Sequence, residues 1–326
     1  MRTSVPPGPG EHPRVPGRFL PAALPRLREA VMSNRRKAYA LGIATVLLWS
    51  TVASAFKISL RYLAPAELLL YSCLASILAL GAILAARGKL GLIFACTRRE
   101  YASSLALGVV NPFLYYLVLF SAYDLLPAQV AQPINYTWAL MLAFLSIPLL
   151  KQKIGVMEIC AGLVSYSGVV VITTGGGLVD IHEINFPGVG LALASTVLWS
   201  LYWIYSTKDG RDPVVCLLLS FLFGLPFILA ACLLLEGFRA VPLPGLVGAA
   251  YVGIFEMGVT FVLWLYALKN ADNTARVGYL IFLSPFLSLV FIRFLVGETI
   301  LASTIAGLVL VVAGLVVQQA GAARGR

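Results

Sequence analysis

Ten apolar runs dominate the chain, with approximate limits 38–57, 64–86, 101–121, 127–149, 155–175, 187–207, 213–235, 245–268, 275–296 and 299–319, and the loops between them are too short to fold alone. A bilayer core is crossed by roughly 20 apolar helical residues, and in lipid each backbone N–H and C=O must be satisfied within the segment. The runs therefore predict an all-α polytopic membrane protein with ten transmembrane helices. Composition agrees, with 60% hydrophobic and 12% charged residues and a mean hydropathy of +0.91, where soluble domains carry about 25% charged residues. The net charge of +10 does not point to nucleic acid, because the basic residues fall in loops between apolar runs, which is the pattern of membrane orientation. With a cytoplasmic N-terminus, twenty of the 24 Lys and Arg lie inside and only Arg61 and Arg239 lie in outer loops; Lys57 and Arg293 sit in or at the ends of spans. The expectation is an inner-membrane protein, multi-pass in the lipid bilayer, with both termini cytoplasmic and the loop from Asp180 to Glu183, with His182, outside.

Residues 1–35 form a separate unit, a basic, Pro-rich tail read as disordered apart from a short surface helix near Ala22 to Val31. Met32 opens a natural-looking start just before the first span, so residues 1–31 read as an over-extended gene start or a dispensable tail. Chemistry in the usual enzymatic sense finds no support. The five cysteines contain no CxxC pair and the two histidines, His12 and His182, are far apart, so neither a disulfide framework nor a metal centre is expected. No HExxH, GxSxG or Walker sequence is present. The expectation is no cofactor and no enzyme.

The two halves of the chain repeat each other. Leu48-Trp49-Ser50 recurs as Leu198-Trp199-Ser200 at an offset of 150, the run from Gly108 to Ala122 matches Gly253 to Ala267 at 145, and Ala161-Gly162-Leu163 matches Ala306-Gly307-Leu308 at 145. With five spans per half, the second copy enters the membrane from the opposite side. Such an inverted repeat is the architecture many secondary transporters use for alternating access, with the binding site near the midplane.

Two five-helix repeats, a Trp-containing first helix ending in Lys57, and Pro285 in the ninth run followed by Gly297-Glu298 together resemble the EamA-type carriers of the drug/metabolite transporter superfamily. The resemblance covers residues 36–175 as a first repeat and 187–320 as a second. It implies a ten-helix secondary transporter that moves a small polar or zwitterionic metabolite across the inner membrane, an amino acid among the candidates, and by the family pattern an exporter. Proton-coupled efflux of cationic or aromatic drugs is the alternative. Two departures stand out: Lys151-Gln152-Lys153 follows the fourth run in place of Gly-Glu, and the second run has Glu67 and Tyr71 where the family often has a basic residue.

Within this frame a few polar residues stand at bilayer depth. Glu256 lies midway along its span, and the positions one and two turns away are Ala249, Val252, Gly253, Val259, Thr260 and Leu263, a face small enough for a helix or a cavity to approach. An intramembrane carboxylate is a functional candidate, able to exchange a proton for a cationic substrate; a packing hydrogen bond is the other reading. The repeat pairs Glu256 with Asn111, and equivalent positions can meet near the pseudo-twofold axis. In the fourth run Gln129, Gln132, Asn135 and Tyr136 share one face around Pro133, which suits a water-filled cavity and not lipid. In the sixth, Trp199 and Tyr202 are candidates for cavity lining, while Trp203 and Tyr205 near Lys208 read as an aromatic belt. Tyr115, Trp138 and Trp264 read as packing.

Overall fold

The computed structural model describes residues 23–151, 156–176, 184–237, 240–271 and 277–324; the tail to residue 22, the loop around His182, and Lys153, Arg239 and Arg276 lie outside the described residues. Ten helices follow one another: α1 (Ala23–Ser59), α2 (Pro65–Ala86), α3 (Arg98–Leu125), α4 (Ala128–Leu149), α5 (Val156–Thr173), α6 (Phe186–Ser206), α7 (Pro213–Leu235), α8 (Leu243–Lys269), α9 (Leu280–Val296) and α10 (Ala302–Arg324). Each coincides with one apolar run. Eight of them contain stretches long and apolar enough to span a bilayer, and α5 and α9 contain the shorter apolar helices. The helix of the first run begins at Ala23, so residues 23–35 continue α1 without a break.

The helix ends are written in the sequence. Thr97 and Glu100 form a capping box at the start of α3, with Thr97 N–H donating to Glu100 Oε2 at 2.6 Å and Glu100 N–H to Thr97 Oγ1 at 3.3 Å. Asn185 accepts from Gly188 N–H at 2.9 Å and Asp212 from Val214 N–H at 3.0 Å, each with Pro inside the first turn.

Lipid gives no hydrophobic drive for helices to associate, so small residues and interhelix hydrogen bonds hold the bundle, each bond worth about 0.6–2 kcal/mol. Ser72 Oγ donates to Ala249 O at 3.0 Å and Ser76 Oγ to Met257 O at 3.0 Å, joining α2 to α8. Ser165 Oγ donates to Val311 O at 2.9 Å between α5 and α10.

The closest backbone approaches obey the repeat. A Cβ placed on Gly108 of α3 would meet the carbonyl oxygen of Ser220 on α7, and one placed on Gly253 of α8 would meet that of Ser72 on α2. Since Gly108 and Gly253 are repeat mates, the same crossing occurs once in each half. The pairings α3 with α6 and α8 with α1 likewise exchange between halves, as do α4 with α6 and α9 with α1. The protein is thus two inverted five-helix repeats packed into one multi-pass membrane bundle.

Candidate functional site

The helices α3 and α8 are both broken at the level of the repeat mates. In α3 the backbone widens into π-type turns over Val109–Leu114, and Asn111, before Pro112, takes extended angles (φ −143°, ψ 117°). In α8 the same widening covers Val252–Val259, around Glu256. Widened turns shift the side-chain register and recur at functional sites; here they turn Glu256 into a cavity of about 370 Å³ between α1, α3, α4, α6, α8, α9 and α10.

Gln132, Asn135, Tyr136, Trp199 and Glu256 all line this cavity. Glu256 and Asn111 share no hydrogen bond, and Asn111 is not among the residues that line the cavity. Glu256 Oε1 instead accepts a hydrogen bond from the Tyr116 hydroxyl at 3.4 Å. Asn111 is buried behind the wall, beside the Tyr202 hydroxyl, because the extended backbone before Pro112 turns it toward α6. Tyr202 itself forms a second layer, stacked on Trp199 with centroids 5.5 Å apart. Gln129 also lies off the cavity. Its amide donates to Thr299 O at 2.9 Å and accepts from Leu301 N–H at 3.1 Å and Thr304 Oγ1 at 3.0 Å, tying α4 to the α9–α10 junction.

What sequence reasoning underweighted is the aromatic wall. All five tryptophans of the chain, Trp49, Trp138, Trp199, Trp203 and Trp264, line the one cavity. Tyr115 stacks on Trp199 (4.5 Å, 24°) and Trp138 on Trp203 (6.4 Å, 17°), while Trp199 stands at 89° to both Trp138 and Trp203. Phe261 bridges Trp199 and Trp49, 5.8 Å from each, and Trp264 closes the ring 5.7 Å from Trp49. Trp138, Trp264 and Tyr115 therefore face the cavity as well as packing, and Trp203 belongs to its wall.

The polar equipment is sparse. Among the described residues that line the cavity, Glu256 is the one charged group. Gln132 Oε1 and Trp203 Nε1 are buried and without a hydrogen-bond partner in the protein, which leaves one acceptor and one donor for a ligand. Asn135 is held by a 2.9 Å bond to Ser195 Oγ. Among the described residues no group of three metal-ligating side chains occurs. Aromatic faces around one carboxylate attract a cation through both charge and the ring quadrupoles, and flat rings stack on flat rings.

The cavity has distinct ends. Near the α3–α4 junction its wall is Phe56 and Tyr123, both buried and packed edge-on at 5.2 Å, with Phe120 behind Phe56 at 4.8 Å. Toward the opposite helix ends the wall is Leu142, Leu268 and Gln319, which are partly exposed.

Known proteins share this architecture. A solved structure matches 89% of this chain and 99% of its own with a TM-score of 0.61 at 23% identity, a likeness of fold. The aromatic amino acid exporter YddG of Ancylobacter novellus is 27% identical over 258 residues, 78% of this chain and 87% of that protein. An uncharacterized transporter of Archaeoglobus fulgidus is 27% identical over 286 residues, 86% of this chain and 96% of its own. The sequence profile of the EamA-like transporter family matches residues 36–174 and 186–318, one match per five-helix half, and the chain belongs to that family.

Proposed function

We propose that this transporter carries a small aromatic metabolite with an ammonium group, an aromatic amino acid in the first place, and that it works as an exporter by alternating access. The observation that carries the reading is the convergence of five tryptophans and one carboxylate on a single cavity. The aromatic ring would stack on one of the two pairs, Tyr115–Trp199 or Trp138–Trp203, and meet the other edge-on, since the pairs stand at 89° to each other, while the ammonium meets Glu256. The exporter of aromatic amino acids among its relatives supports the same class. The distribution of Lys and Arg supports an inner-membrane orientation with both termini cytoplasmic. The less buried end of the cavity, at Leu142, Leu268 and Gln319, would then face the cytoplasm, the side from which an exporter loads. Exchange of a proton for the ammonium at Glu256 would couple efflux to proton entry.

A second reading rests on one observation: among the described residues no Lys, Arg or His lines the cavity to hold a substrate carboxylate. It makes the cargo an aromatic cation without a carboxylate, moved by proton-coupled efflux. Thermal shift of the purified protein separates the two. Stabilisation by tryptophan and tryptamine alike supports the amino-acid reading, and stabilisation by tryptamine alone supports the second. If neither raises the melting temperature at millimolar concentration, the aromatic assignment is wrong.

A further inference from the structure

The end of the cavity near the α3–α4 junction is shut by more than the Phe56–Phe120–Tyr123 layer. Lys57, at the end of α1, donates from Nζ to the carbonyl oxygens of Tyr123 at 2.7 Å, Asp124 at 3.3 Å and Leu126 at 2.9 Å, which are the free carbonyls at the C-terminus of α3. Glu298 accepts with both carboxylate oxygens from the first N–H groups of α4, Ala128 at 2.7 Å and Gln129 at 3.1 Å. Helix C-termini attract cations and N-termini attract anions, so each charge sits at the end its sign demands. Gly297, at φ 83°, turns the chain out of α9 and delivers Glu298 to that spot. The junction of one half is gripped from two directions, and one grip comes from the other half.

An inverted repeat would place the same device at the opposite end, and the sequence does not repeat the pair there. The repeat mate of Lys57 is Thr207, whose hydroxyl only bonds its own helix at Ile204 O, 3.2 Å away; the mate of Glu298 in the sequence is Lys153. We propose that Lys57 and Glu298 form a one-sided electrostatic latch that holds the α3–α4 end closed at rest, and that its release admits the opposite conformation. The latch borders a pocket of about 260 Å³ that is also lined by Arg61 and Asp124, so its charges have polar partners to turn to when it opens. The proposal concerns which end is shut and stands whatever the solute is.

The test is accessibility of the cavity floor from the Lys57 side. Leu119→Cys, in the cavity wall, is exposed to a membrane-impermeant maleimide in vesicles of each orientation, and modification at position 119 is read by peptide mass spectrometry. The latched protein reacts from the opposite side and weakly from the Lys57 side. Adding Glu298→Gln should raise reaction from the Lys57 side at least fivefold, with Lys57→Gln as an independent second release. Glu236→Gln, which removes an exposed carboxylate at the same end of the bundle, should change nothing. A rise in either latch variant supports the proposal. Unchanged labelling in both overturns it, and so does loss of monodisperse folded protein in both, which would assign the two charges to the fold.

Discussion

Glu256 and Trp199 reach the same cavity by different logic. Replacing Glu256 with Gln keeps the shape and the Tyr116 contact but removes the charge. Charge-assisted hydrogen bonds are worth about 1.5–3 kcal/mol, so tryptamine should bind at least about tenfold more weakly to Glu256→Gln. Uptake driven by a pH gradient should fall to background in proteoliposomes, while Glu256→Asp keeps part of it; wild-type coupling in Glu256→Gln would make Glu256 a packing residue. Trp199→Ala opens the stacked pairs, and a truncated aromatic anchor costs about 2 kcal/mol, roughly thirtyfold in Kd by calorimetry. The polar members of this site were legible in the sequence, because Glu256, Gln132, Asn135 and Tyr136 are costly against lipid wherever they stand. The tryptophans were not. A Trp facing a cavity, a neighbour or the interface has the same helical spacing, and only the closure of seven helices brings Trp49, Trp138, Trp203 and Trp264 to one wall. Asn111 and Gln129 lie off the cavity, since a polar residue in a span can also avoid lipid by meeting Tyr202 or the α9–α10 junction, although Asn111 Oδ1 is left without a partner.

At the scale of the element, boundaries follow from local chemistry and breaks do not. Caps and Pro at N1 mark the starts of α3, α6 and α7, and the apolar runs delimit all ten helices. The widened turns in α3 and α8 have Pro112 as a signal in one case and none in the other. The α6–α7 turn offers a separate check. Asp209 and Arg211 pair at 2.5 Å with side chains only 10% exposed, and Arg211 also bonds Ser104 Oγ of α3 at 2.9 Å. The hydrogen bond from Arg211 holds the Asp209 carboxyl below its usual range, at about 2. An unfolded Asp titrates near 3.9, so this stabilisation is complete above about pH 4 and disappears as pH falls through about 2. Asp209→Asn should cost about 1–3 kcal/mol at neutral pH, seen as a lowered unfolding midpoint, with the gap to wild type closing below pH 4. An equal gap at all pH values would assign the loss to packing.

For the whole molecule, orientation is open to direct measurement. A cysteine at His182 should react with an impermeant maleimide in intact cells, and one at the exposed Lys208 should react only after permeabilisation; the reverse pattern would invert the topology. The repeat itself was legible because three matched segments at near-constant offset survive in the sequence. The two glycine crossings carry a consequence for how such a bundle moves. At Gly108 on Ser220 and Gly253 on Ser72, a bare α-carbon rests on a carbonyl, with no side chain to interlock. Such points can act as bearings: the glycines put no side chain of their own in the way of a roll, which at Gly253 would have to give up only the Ser72 and Ser76 hydroxyl bonds to α8. As mates under the repeat the two lie at corresponding positions in the two halves. A methyl group at either one meets the opposing carbonyl and jams that bearing, so Gly108→Ala and Gly253→Ala should slow solute exchange to a similar degree while leaving equilibrium binding nearly intact.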